Sequence, residues 1–365
     1  MNYREIVKFA DMENIKVGIS IGDINGIGPE VIIKALSHQN LLKNITPIVY
    51  GSSKVISYYK NILNSDISYS NCSDVERAQE EKVNIINCWQ DTVHINPGLQ
   101  EENGGKYAYI ALDKAVKDLV ESKIDALVTA PINKKTMKMA NFPYPGHTEY
   151  VTERAGAESS LMLMVSESMR LGLVTAHMPL AEVAASITPE LVEEKLIALY
   201  HTCRNDFGIT KPTIAVLGLN PHAGDEGLLG DEEDKVINPV LIKLKKSGHL
   251  VYGPFAADGF FGSGKYKKFD AILSMYHDQG LVGFKALSFG QGINYTAGLN
   301  VIRTSPDHGT GYEIAGKSEA NESSFVNALK LAVDIARYRK EFQELEANSL
   351  HKQKQQKRTE EEENK

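Results

Sequence analysis

Short apolar runs rich in β-branched residues alternate along the chain with longer stretches whose apolar positions recur at helical spacing. A covered parallel strand is apolar on both faces and a covering helix on one stripe, so the alternation predicts repeated βαβ units. The runs predict strands at Val17 to Ile21, Ile45 to Tyr50, Val83 to Cys88, Ala126 to Thr129, Leu161 to Val165, Gly172 to Thr175, Thr213 to Leu219, Leu250 to Tyr252, Ala271 to Met275 and Val301 to Arg303. Between them, Pro29 opens the helical run VIIKAL, and Thr188 with Pro189 opens ELVEEKLIALYHTC, which Gly208 should stop. Asn321 can cap a last helix from about Glu322 to Leu345, after which HKQKQQKRTEEEENK holds almost no apolar residue and reads as a solvated tail.

At 365 residues the chain exceeds the size at which single cores usually stop growing, so two α/β lobes are expected. A net charge of -7 argues against a surface built to neutralise a nucleic-acid backbone. Cys72, Cys88 and Cys203 form no CxxC pair, which suits a reducing cytoplasm and indicates neither a disulfide framework nor a cysteine-held zinc. No run is long and apolar enough to suggest a membrane span, and the start MNYREIVKFADMEN lacks a signal-peptide core. Met12 precedes the first strand-like run, so residues 1–11 are read as an extension outside the core.

The chemistry is suggested by position. His177 follows LGLVTA, His222 follows IAVLGLNP and His277 follows AILSMY, each just past the carboxyl end of an expected strand. Singly, each reads as an ordinary hydrogen-bonded histidine. Jointly, three imidazoles suit a divalent metal such as Zn²⁺, or Co²⁺ or Mn²⁺, with a coordination position left for substrate. Asp278 beside His277, and Asp258 in GPFAADGFF, are candidates to orient imidazoles or accept a proton; Asp225 and Glu226 read as loop solvation.

In GHTEY, His147 and Thr148 fall at an expected helix start, which suits a phosphate or carboxylate. Lys285 in GFKAL, Asn294 in GQGINYTAG and Arg303 in NVIRTSP add two cations and an amide near glycine-rich turns. The loop GDINGIGPE has neither the GxGxxG nor the GxxxxGK[ST] spacing and is read as a tight structural turn.

Together with TAPINKKT, YHDQGL and RTSPDHGTGYEIAGK, these segments resemble the 4-hydroxythreonine-4-phosphate dehydrogenase family of vitamin B6 biosynthesis, from about Lys16 to Ala336. The resemblance implies an isocitrate/isopropylmalate dehydrogenase-like fold, with residues 12–140 and 295–346 in one lobe, 141–294 in the other, a cleft between them and a polar tail over 347–365. It also implies a homodimer with shared active sites, NAD or NADP as hydride acceptor, and one divalent metal, zinc first with magnesium, cobalt or manganese as alternatives. Carried onto this chain, His177, His222 and His277 would hold the metal, and His147, Thr148, Lys285, Asn294 and Arg303 the substrate. His308 and Gly309 would meet the cofactor, and Asp258, Asp278 and Lys285 are the candidates for catalytic proton transfer. Dehydrogenases of 4-phosphoerythronate or 4-phosphothreonate, and a zinc hydrolase that needs no nicotinamide, are the competing expectations.

Overall fold

The computed structural model describes residues 14–347. The extension expected over residues 1–11, and all but the first residue of the tail expected over 347–365, lie outside them. The strands are β1 (Ile15–Ser20), β2 (Ile45–Gly51), β3 (Tyr69–Cys72), β4 (Val83–Asn87), β5 (Ala126–Thr129), β6 (Leu161–Ser166), β7 (Met169–Leu173), β8 (Thr213–Leu217), β9 (Leu250–Phe255), β10 (Ala271–Ser274), β11 (Ile293–Ala297) and β12 (Arg303–Pro306). They form one 12-stranded sheet in the order β3-β4-β2-β1-β5-β12-β11-β6-β7-β10-β8-β9.

From β3 to β12 neighbouring strands run parallel, and so do those from β7 to β9. The two blocks meet through β11 and β6, which run antiparallel to each other and to their outer neighbours. The expected α/β class is therefore observed, and each expected strand overlaps an observed one. Every residue of β2 is buried, as a strand covered on both faces requires. Two strands were not expected: β3, whose sequence YSNC is half-exposed at the sheet edge, and β11, whose INYTA lies inside a glycine-rich stretch that reads as a turn. The expected strand Val301 to Arg303 begins instead at Arg303, with Val301 and Ile302 buried on the approach. A lobe boundary between residues 294 and 295 would cut β11 in two.

Local capping explains several helix ends. Thr188 Oγ1 accepts from Leu191 N at 3.2 Å ahead of the helix Pro189–Asn205, and Asn321 Oδ1 accepts from Ser323 N at 2.8 Å ahead of the helix Ser323–Ala347. The last helix is tied to the centre of the sheet by buried charge. Arg339 donates to Asp206 at 2.7 Å and to the Tyr295 hydroxyl at 3.0 Å, and Tyr295 donates to Asp206 at 2.6 Å. Burial and the adjacent Asp206 carboxylate hold the Tyr295 hydroxyl protonated, well above its usual range.

The loop GDINGIGPE is buried throughout and is a structural turn, as expected. Asp23 Oδ2 accepts from Thr136 Oγ1 at 2.9 Å and from the Tyr312 hydroxyl at 2.6 Å, which ties TAPINKKT and HGTGYEIAGK to the first strand–helix turn. Helix Glu102–Val120 packs against the same node, and a Cβ on Gly105 would lie 2.0 Å from the Thr136 carbonyl oxygen. Gly105→Ala is expected to destabilise the fold by about 1–3 kcal/mol, because backbone must shift to admit the methyl; a lowered urea midpoint with unchanged m-value is the check.

Candidate active site

A cavity of about 270 Å³ is lined by residues from both blocks, among them Thr129, His147, Thr148, Glu149, His177, Asn294, Arg303, Ser305, His308 and Gly309. Its chemical centre is Arg303, a guanidinium only 3% exposed. Arg303 donates to Thr129 Oγ1 at 3.0 and 2.6 Å, to Thr296 Oγ1 at 3.1 Å and to His147 Nδ1 at 3.1 Å. Every one of those partners is neutral. Burial pulls the guanidinium down to about 10, and the nearby Glu149 carboxylate offsets this in part. A buried cation surrounded by neutral acceptors is a site for an incoming anion, since a phosphate or carboxylate supplies the missing charge and a planar fork of donors grips it.

The period of two puts Arg303 and Ser305 on one face of β12, and Asn294 and Thr296 on one face of the adjacent β11. The helix His147–Arg154 lies over that face, with His147 and Thr148 opening it as expected. Because His147 Nδ1 accepts from Arg303, its Nε2 carries the proton, and this buried atom has no partner. Burial first, and then the Arg303 charge, hold His147 well below its usual range, so the ring is neutral. Asn294 Oδ1 and His308 Nε2 are likewise buried and unsatisfied. Three orphaned polar atoms around one buried cation are what a polar ligand would satisfy.

Strands β7, β10 and β8 are parallel neighbours in that order, so the loops bearing His177, His277 and His222 leave the same edge. Thr175 N donates to Met275 O at 3.1 Å, and Gln279 bridges from Met275 N to Gly218 O, locking the three loops together. The rings of His177 and His277 lie 5.7 Å apart. Asp278 Oδ1 stands 2.7 Å from His277 Nδ1, and Glu149 Oε1 stands 3.9 Å from His177 Nδ1. A carboxylate beside each Nδ1 leaves Nε2 as the ring nitrogen available to a divalent cation.

The expected set of three is not assembled within one chain. Among the described residues no group of three His, Cys, Asp or Glu side chains is close enough to hold a metal. His222 lies exposed in a run from His222 to Glu226 with φ of 53, 55, 84, 45 and 55°. Four of those five residues are not glycine, and each such residue in a left-handed turn costs about 1–2 kcal/mol. The turn is held at its base by Glu233, which accepts from Asn220 N at 2.8 Å.

Of the remaining expectations, Lys285 does not line the cavity and instead pairs with Asp307 Oδ1 at 3.3 Å. Asp258 is exposed in the first turn of the helix Ala257–Gly262. Asp278 stands against His277, its Oδ1 beside the ring Nδ1. His308 and Gly309 do line the cavity, and a Cβ on Gly309 would meet no atom within 4 Å, so nothing steric demands glycine there. Glu149, Thr129, Ser305 and Asp307 were not expected. Each sits inside or beside a segment singled out for another residue, and the signal was adjacency to those residues.

An α/β sheet with a buried cation in its central cavity and paired imidazoles on an adjoining edge is an arrangement suited to a small, negatively charged ligand. Residues 43–332 match the family described as pyridoxal phosphate biosynthetic protein PdxA. The chain is 47% identical over 345 residues to a 4-hydroxythreonine-4-phosphate dehydrogenase of Bacteroides thetaiotaomicron, covering 94% of this chain and 95% of that one. It is 39% identical to the enzyme of the same name from Sulfurihydrogenibium sp., covering 89% and 100%. The crystal structure of 4-hydroxythreonine-4-phosphate dehydrogenase from Klebsiella pneumoniae superposes with a TM-score of 0.79 at 30% identity, covering 90% of this chain and 99% of that one. The chain belongs to the 4-hydroxythreonine-4-phosphate dehydrogenase family, whose members are oxidoreductases, and the zinc hydrolase expectation is set aside.

Two outcomes follow from the buried charge. Arg303→Met is expected to leave the ligand-free melting temperature unchanged or raised, because an unpaired buried charge is removed, while abolishing stabilisation by inorganic phosphate; thermal scans with and without phosphate measure both. The depressed His147 means that below its usual value of 6.5 the unfolded chain binds a proton that the folded chain refuses, so stability falls as pH drops through that value. His147→Gln is expected to flatten this slope, read as urea midpoints across the acid range.

Proposed function

We propose that the chain oxidises 4-phosphohydroxy-L-threonine, with NAD or NADP and one divalent cation, to 2-amino-3-oxo-4-phosphooxybutanoate. This product decarboxylates to 3-amino-2-oxopropyl phosphate, a step toward vitamin B6. The observation that carries the reading is the buried Arg303 with only neutral partners beside three unsatisfied polar atoms. That substrate offers both a phosphate and a carboxylate, and the names of the relatives point to it.

His147, Thr148, Asn294 and Arg303 grip the anionic ends, so remote binding energy places the reacting carbon. His177 and His277, with His222 as third donor, would hold the cation, and His308 and Gly309 would receive the nicotinamide cofactor. When bound, the cation would supply Lewis acidity toward the substrate hydroxyl and the nicotinamide would supply a hydride acceptor. Asp278 is engaged with His277 Nδ1, which leaves Asp258, or Lys285 once its ammonium has given up a proton, to receive the hydroxyl proton. Loss of CO₂ then breaks the bond between C2 and the carboxylate, its electrons passing to the C3 carbonyl.

A homodimer accords with the exposed apolar residues Leu180, Leu228 and Val282, each following one of the three histidines in its segment. A second copy seated there completes the half-assembled imidazole set. No described helix is long and apolar enough to cross a membrane, and the cytoplasmic setting stays part of this reading. The second reading, oxidation of 4-phosphothreonate or 4-phosphoerythronate, has support from a relative in Oceanobacillus iheyensis, 37% identical, that carries a provisional name as a D-threonate 4-phosphate dehydrogenase.

A spectrophotometric assay at the reduced-nicotinamide band, offering 4-phosphohydroxy-L-threonine against 4-phosphoerythronate and 4-phospho-D-threonate, tests both. The first substrate is expected to show the highest kcat/KM; preference for either hydroxy acid selects the second reading. His222→Ala is expected to lose turnover and retained metal together, and near-normal activity in a metal-stripped variant would overturn the scheme.

A further inference from the structure

We propose that Asp307 is a positioning residue that holds the Lys285 ammonium at the junction of the substrate, cofactor and histidine segments. The inference rests on the oxidoreductase reading above, in which Lys285 is one of the two candidates to take part in proton transfer. Asp307 directly follows β12, the strand of Arg303, and directly precedes His308. Lys285 arises from the other block of the sheet, on the helix His277–Ser288 that His277 opens. Their contact, 3.3 Å from Nζ to Oδ1, therefore joins the anion-binding strand and cofactor segment to the helix of a proposed metal ligand.

The two partners are unequal. The Asp307 side chain is 17% exposed and that of Lys285 is 53% exposed. Asp307 stands on fixed backbone: its N–H donates to Ser324 Oγ at 3.1 Å, and that hydroxyl donates to the Gly292 carbonyl at 2.7 Å. Gly292 makes room for the carboxylate, since a Cβ there would lie 3.1 Å from Asp307 Oδ2 and 2.7 Å from the Phe284 ring. Lys285 has a four-carbon stem with many rotamers, and a rigid carboxylate selects among them. Burial raises the Asp307 carboxyl while Lys285, His308 and His277 lower it, so the charges facing it come from all three segments. An ion pair this open to solvent adds little to stability; what it supplies is the location of the ammonium.

The test uses the full-length enzyme with metal and NAD(P). Asp307→Asn is expected to lower kcat by roughly 10- to 100-fold, the size of effect that misplacing a reacting group produces. KM for 4-phosphohydroxy-L-threonine should stay within about threefold, because the anion grip is untouched. Asp307→Glu, which keeps the charge, is expected to restore part of the lost kcat. Independently of any turnover, acetylation of Lys285 by an amine-reactive reagent, followed by mass spectrometry, should be faster in Asp307→Asn than in the parent, since the Lys285 Nζ is no longer held against a carboxylate. Equal Lys285 labelling in the two proteins overturns the inference whatever the reaction turns out to be. Faster labelling with absent turnover in the parent enzyme counts against the proposed reaction and leaves the Asp307 contact standing.

Discussion

A guanidinium enclosed at the centre of a sheet, with hydroxyls and an imidazole as its hydrogen-bond partners among the described residues, constrains everything built around it. Ionised groups leave water at high cost unless a counter-charge meets them, and the Arg303 environment contains none in direct contact. The arrangement persists because Thr129, Thr296 and His147 occupy the donors geometrically while leaving the charge unspent. Placing those three around one side chain requires β5, β12, β11 and the helix His147–Arg154 to meet, which is the central topology of the molecule.

The histidine edge follows a different logic. Three parallel neighbours deliver three loops to one side, and cross-loop hydrogen bonds through Thr175 and Gln279 fix their spacing. Two rings are thereby brought together with carboxylates behind them, while the third is displayed from a left-handed turn that L-residues disfavour. Strain of that kind persists where surrounding structure over-determines it, and Glu233 and Asn220 supply that restraint.

Much of this was legible in the chain. Both-face apolar runs such as Ile45 to Tyr50 can be nothing but covered strands, and histidines placed past three of them foretold a common edge. The pocket residues His147, Thr148, Asn294 and Arg303 gave only weak local signals at a helix start and glycine-rich turns, and the family resemblance is what joined them into one set. Other features were hidden for physical reasons. Strand β11 pairs antiparallel on both sides amid glycines, so its INYTA carries no local periodicity that outweighs its flanks. The neutrality of Arg303's partners, the diversion of Lys285 onto Asp307 and the separation of His222 from the other two rings are matters of three-dimensional proximity. No spacing rule encodes them.

The reversal of strand direction at β11 and β6 bears on how the molecule is made. Because the pocket draws on segments from Thr129 to Gly309, a ribosome must release most of the sequence before the full pocket can form. Ligand therefore cannot template early collapse of the amino-terminal block, and Arg303 becomes enclosed only as the last central strands dock. The binding pocket is complete only where the two blocks are joined, through contacts between residues far apart in the chain.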